Sequence, residues 1–255
     1  MTLRSLFCEQ KIFGLYKDKE TMTELLHMND SYLREFDALV VAQDSPAIRL
    51  DRTAFFPGGG GQPPDIGWLR WTGSETRVID MKEEGGVIWH VLEGPVPPLG
   101  QSVHGILDWD RRYAIMRYHS ALHVLVGTVY QLYDASVTGV AIYPDRARMD
   151  FSLEDLSKER VATIEAEANR TIQEDRRIIV RWVSRDEFEQ ANLVRLARNL
   201  VPKDIQRIRV IEIEDFDSQA DSGTHVHSTR EIGRLVVTKT DNKGKINRRM
   251  EIKVT

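Results

Sequence analysis

Phe55-Phe56-Pro57-Gly58-Gly59-Gly60-Gly61-Gln62-Pro63-Pro64 is the stretch on which the reading of this chain turns. Four consecutive glycines set between prolines interrupt helix and strand alike, so they mark a turn between extended runs. Such runs surround it: residues 37–41, 47–50, 68–71, 78–81, 87–92 and 102–107, divided by further Gly and Pro turns at 84–86 and 94–98. Short strands at this spacing predict a small β-barrel domain over residues 28–105. Its end is read in the Pro-rich stretch before Gly100. Glycine lets backbone approach a ligand closely, and Gln62 adds an amide that can orient a substrate or a water, which makes Gln62 a candidate catalytic residue. A tight turn between two barrel strands is the other reading of the glycines.

Past residue 105 the pattern changes. A buried helix is predicted from about 110 to 133, then strands at 139–143 and 146–151. A long helix follows over 156–173, with Ser152 and Asp155 as a capping box and Val161, Ile164, Ala168 and Ile172 as its apolar stripe. A strand at 178–183, a helix at 185–198 and a strand at 208–213 lead to a turn at Asp221. This mixture predicts an α+β domain over 106–255. Residues 1–27 are read as an N-terminal extension without an assigned function.

Composition sets bounds. The chain has 255 residues, 41% hydrophobic and 29% charged, as in ordinary globular proteins. No apolar run approaches a membrane span and the start lacks the pattern of a secretory signal, so a cytoplasmic protein without membrane contact is expected. The one cysteine, Cys8, excludes an internal disulfide and reads as a bystander thiol. The net charge of −4 does not signal nucleic-acid binding, but the tail carries Lys239, Lys243, Lys245, Arg248, Arg249 and Lys253 around a turn at 242–245. A basic hairpin there either meets phosphates or is a solvated sheet edge protected by charge.

The chemistry is carried by a split set. His119 and His123 stand one helical turn apart and aim two imidazoles at one point. About a hundred residues later, Asp221-Ser222-Gly223-Thr224-His225 supplies a carboxylate and a third imidazole across a turn. Three His with Asp, or three His with an open position, suit a metal such as zinc. No Ser-His-Asp or Cys-based nucleophile is evident.

These residues resemble the AlaX family, free-standing relatives of the editing domain of alanyl-tRNA synthetase. The carriers are the Phe55–Pro63 loop with Asp65 and Gly67; Arg111-Arg112 and Met116-Arg117 ahead of His119-x-x-x-His123; Asp217 to Val226; and Thr229 to Gly233. The match runs from about Ser31 to the C-terminus. It implies an editing domain of the alanyl/threonyl-tRNA synthetase type behind the barrel. The implied activity is hydrolysis of mischarged tRNA(Ala), chiefly the seryl and in some members the glycyl ester, with zinc as cofactor and the acceptor end of tRNA(Ala) as partner. In this pattern Asp221 stands where the family has cysteine, and Ser222 where it usually has glycine. Asp221 then either ligates the metal, leaves it to three His, or marks a site that has lost it. The resemblance places Gln62 beside the editing pocket, Thr224 next to the metal, and Thr138, in a turn after the His helix, near a residue that senses the serine hydroxyl. Arg111, Arg112 and Arg117 would lead the acceptor end inward, or else pair on the helix surface; Lys243, Lys245, Arg248 and Arg249 are the tail's candidates. A tRNA-binding relative weakened in catalysis, and an editing hydrolase of another amino-acid specificity, are the alternatives. Oligomeric state is left open.

Overall fold

The computed structural model describes residues 23–84, 86–197 and 201–255. Cys8 and most of the expected N-terminal extension lie outside them. The chain forms two compact units, one of residues up to Gly59 together with Pro63–Tyr113, the other of Gly60–Gln62 with Ala114–Thr255.

The first unit is a closed antiparallel barrel. Its strands are β1 (Glu35–Asp44), β2 (Ala47–Leu50), β3 (Gly67–Trp71), β4 (Ser74–Glu84), β5 (Val87–Glu93) and β6 (Ser102–Leu107), ordered β1-β2-β5-β4-β3-β6 and closed by β6 on β1. Alternation along β1 turns Phe36, Ala38 and Val40 inward. They join Ile48, Leu50, Phe55, Leu69, Val78, Ile88 and Val103 in one core. Because β6 pairs with both β1 and β3, the Pro-rich stretch before Gly100 lies within the barrel's chain and does not end it. The described end of the extension belongs to this unit: Thr23 Oγ1 donates to Leu50 O at 2.6 Å, and Glu24–Leu25 pairs in parallel with Arg52–Thr53.

Helix α1 (Trp109–Tyr133) follows directly; the Asp108 carboxylate accepts the Arg111 N–H and caps it. From Ala114 on, α1 belongs to the second unit, and Ile115, Met116, Leu122, Val124, Leu125 and Val129 are buried. That unit holds two antiparallel sheets. One has the order β12-β13-β8-β7, from β7 (Val137–Tyr143), β8 (Arg146–Phe151), β12 (Leu235–Gly244) and β13 (Asn247–Val254). The other has the order β9-β10-β11, from β9 (Ile178–Ser184), β10 (Arg207–Ile213) and β11 (Asp217–Ala220). Helix α2 (Lys158–Gln173) is tied to β12 where Asn169 both donates to Leu235 O and accepts Leu235 N–H, at 2.7 and 2.9 Å.

Two expected helix ends move. Ser157, not Ser152, caps α2; Ser152 follows β8 directly and its hydroxyl accepts the Ser136 N–H. Helix α3 spans only Arg185–Gln190, because Asn192 turns to φ +46° soon after it. The linear boundary at 105/106 also misses the return of Gly60–Gln62 to the second unit, where Ile142 N–H donates to Gly61 O at 2.8 Å.

Candidate metal centre

His119 and His123 face the same way from α1, and the turn after β11 brings Asp221 and His225 to them. The ligand atoms of these four residues all lie within 4.8 Å of one another. The carboxylate is the hub: Asp221 Oδ1 is 3.1 Å from His225 Nε2, and Oδ2 is 3.5 Å from His119 Nε2 and 4.0 Å from His123 Nε2. The three imidazoles are buried. Burial holds His225 well below the ordinary imidazole range, with the other two imidazoles acting in the same sense, and pushes His123 down to about 4. Burial by itself would raise the Asp221 carboxyl, yet the imidazoles around it hold it well below the usual carboxylate range.

Gln62 fixes the geometry of His119. Its Oε1 lies 2.8 Å from His119 Nδ1 and also accepts the Thr224 N–H at 3.1 Å, while its Nε2 donates to Thr224 Oγ1 at 2.9 Å. The bond from the Thr224 N–H identifies the Gln62 oxygen, so His119 Nδ1 donates to it and Nε2 is turned toward Asp221. Ser120 Oγ sits 3.4 Å from His225 Nδ1 and accepts the Val226 N–H. Arg209, buried in β10, donates to the carbonyls of Asp221 and Gly223 at 3.0 and 2.9 Å and so holds the turn. Gly223 has no room for a side chain: a Cβ there would stand 2.3 Å from His119 Cε1 and 2.7 Å from Gln62 Oε1. Gly61, at φ +87°, presses on Val140 in the same way, so the loop that delivers Gln62 rests on β7.

Lone pairs of neutral imidazoles and a carboxylate, held together out of water, are the donor set of a divalent metal site. Zinc–nitrogen and zinc–oxygen bonds near 2 Å put tetrahedral ligand atoms roughly 3.4 Å apart. The residues fit a divalent metal in number and type, with Gln62 and Ser120 as outer partners of two of the imidazoles.

The other expected site residues fall elsewhere. Arg112 cannot meet a phosphate, since it is fully buried and bonds Asp65, Ser31 O and Ala54 O. Arg111 donates to Pro64 O, and Arg117 to the carbonyls of Glu231 and Ile232. Arg248 is spent on Asn242 and on backbone carbonyls of its own hairpin, and Arg249 forms a two-bond pair with Asp150 at 2.6 and 2.7 Å. Lys243 and Lys245 remain exposed at the hairpin tip. Thr138 lies in β7 and not in a turn; its hydroxyl donates to Asn247 on the surface. Ser120 and Arg209 were missed. Ser120 carries no signal beside the histidines, whereas Arg209, a charge at an inward position of Arg207-Ile208-Arg209-Val210-Ile211, was detectable by its misfit with the apolar pattern.

Residues 208–251 match the model of the threonyl and alanyl tRNA synthetase second additional domain, and residues 3–111 that of class II (A) tRNA synthetases. The alanyl-tRNA editing protein AlaX-M of Methanosarcina acetivorans is 40% identical over 241 residues, 90% of this chain and 98% of its own. That of Saccharolobus solfataricus is 38% identical at the same coverage. The chain belongs to the AlaX-M family. It is also 40% identical to the alanine–tRNA ligase of Pyrococcus abyssi, over 90% of this chain but 25% of the ligase, so it corresponds to one section of that longer enzyme. The family's fold, a barrel with an editing domain of the synthetase type, is the one seen here. Among the described residues, no helix is long and apolar enough to cross a membrane.

Proposed function

We propose that this AlaX-M protein is a trans-editing deacylase that hydrolyses mischarged tRNA(Ala), chiefly the seryl and also the glycyl ester, with zinc held by His119, His123, Asp221 and His225. The observation that carries this reading is the convergence of those four side chains on one buried point. The ester is already activated, so water attacks its acyl carbon and the terminal ribose hydroxyl leaves; positioning and charge stabilisation matter more than a strong nucleophile. When bound, zinc supplies Lewis acidity at the ester. Asp221 replaces the family's thiolate with a carboxylate, and its short approach to all three imidazoles supports a ligand's role over loss of the site.

Gln62 and Thr224, both buried, act as a positioning pair behind His119 and do not touch substrate. Thr138 lies two residues from Val140, which carries the Gly61 turn, and is assigned the sensing of the serine hydroxyl. A site that bonds that hydroxyl rejects the alanyl ester, whose methyl group would leave polar partners unpaired. Lys243 and Lys245 meet phosphates of the acceptor stem, and the protein works in the cytoplasm.

The test is deacylation of seryl- and alanyl-tRNA(Ala) by metal-loaded protein beside His119→Ala and Asp221→Ala, with bound metal measured in each. Selective loss of the seryl ester, abolished together with the metal in His119→Ala, is expected. Metal-loaded, folded protein that cleaves neither ester overturns the reading.

A further inference from the structure

The three-stranded sheet that carries the metal turn also carries an exposed tryptophan at the same level. In the register of β9 and β10, Trp182 is paired with Arg209. The β10–β11 register, continued by the Asp221 N–H to Arg209 O at 3.2 Å, pairs Arg209 with Asp221. Directly paired residues share a face of the sheet, so Trp182, Arg209 and Asp221 form one row across it. Two interstrand spacings, about 10 Å, separate the ends of that row. Trp182 is 39% exposed, so part of its ring is open to a ligand. Beside it stands Arg207, exposed on the same face, with its guanidinium 5.5 Å from the indole centroid and no ion pair among the described residues.

We propose that Trp182, with Arg207 at its side, is the stacking platform for an unpaired base at the 3′ end of the tRNA whose ester lies at the metal centre. An exposed aromatic face next to an unneutralised cation is the chemistry that holds single-stranded nucleic acid: the indole stacks on a base of any identity and the guanidinium meets the phosphate. The distance from Asp221 suits a base next to the esterified terminal ribose. Arg209 packs between the two and keeps platform and metal turn on one rigid sheet. The inference rests on the tRNA editing reading.

The experiment compares binding of intact tRNA(Ala) and tRNA(Ala) lacking its last three nucleotides by wild type, Trp182→Ala and Trp182→Phe. Trp182→Ala is expected to weaken binding of intact tRNA by about 5- to 100-fold and leave the trimmed tRNA unaffected, while Trp182→Phe keeps most of the affinity. Metal content equal to wild type shows that the sheet is intact. An equal loss on both tRNAs, or no loss on either, overturns the platform. Wild type that binds neither tRNA and cleaves no mischarged ester overturns the editing reading, and the platform with it.

Discussion

Each unit holds a buried cluster of ionisable groups, and the two are built differently. In the barrel unit, the Arg112 guanidinium meets the Asp65 carboxylate and the carbonyls of Ser31 and Ala54, while Asp65 also accepts the Phe56 N–H. Donors face acceptors at Asp65 Oδ2 and a cation faces an anion, so the charges of the pair are balanced within the fold. In the second unit, the Asp221 carboxylate and the imidazoles of His119, His123 and His225 converge, and every member is a group that can ligate a metal. Gln62 and Ser120 engage the far side of two of the rings and turn the near side of each toward Asp221. A buried ion pair is structure, whereas a buried group made wholly of metal-binding side chains has the chemistry to take up a metal.

Asp65→Asn should break the first cluster outright. It leaves Arg112 charged without its anionic partner in a fully buried site, and the loss should be about 3–5 kcal/mol in urea unfolding, with activity per folded molecule unchanged. A loss under 1 kcal/mol would mean that the pair is dispensable and the contrast false.

The barrel unit should also carry an acid sensitivity of its own. Burial pushes His90 down to about 4 from an ordinary 6.5. Above pH 6.5 it is neutral folded or unfolded. Between 6.5 and 4 the unfolded chain takes up a proton that the folded one refuses, so stability falls as pH falls, by about 3 kcal/mol across the window. His90→Gln should flatten that part of the stability–pH curve, and an unchanged slope would assign it to other groups.

Gln62→Ala sharpens the comparison from the second unit. With the Nδ1 proton of His119 no longer held, metal affinity and seryl-tRNA(Ala) hydrolysis should both drop about 10- to 100-fold. If hydrolysis falls while metal affinity stays constant, Gln62 touches substrate and is not a positioning residue.

Smallest is the effect of Lys243→Ala with Lys245→Ala. Two phosphate contacts removed should lower the slope of log affinity against log salt by about 2. An unchanged slope would return the hairpin tip to solvent.

Local sequence determined much of this protein. Glycine and proline turns between alternating runs marked the six barrel strands, since strand periodicity and turn chemistry are properties of neighbouring residues. The i,i+4 pair of His119 and His123 identified a ligand face for the same reason, and the Asp221–His225 turn supplied its other half. What the sequence could not say is which polar groups were already occupied. Arg112 and Arg117 read as cationic guides for an acceptor end, and only the tertiary structure showed them bonded to Asp65 and to the carbonyls near Gly233. Gln62 read as a group facing substrate, and only the return of Gly60–Gln62 to the second unit placed it behind His119. Trp182 gave no signal, because its row with Arg209 and Asp221 exists only in the sheet register. Periodicity is fixed along the chain, whereas the partner of a buried polar group comes from wherever the fold brings it, and that partner decides whether the group holds the structure or serves the site.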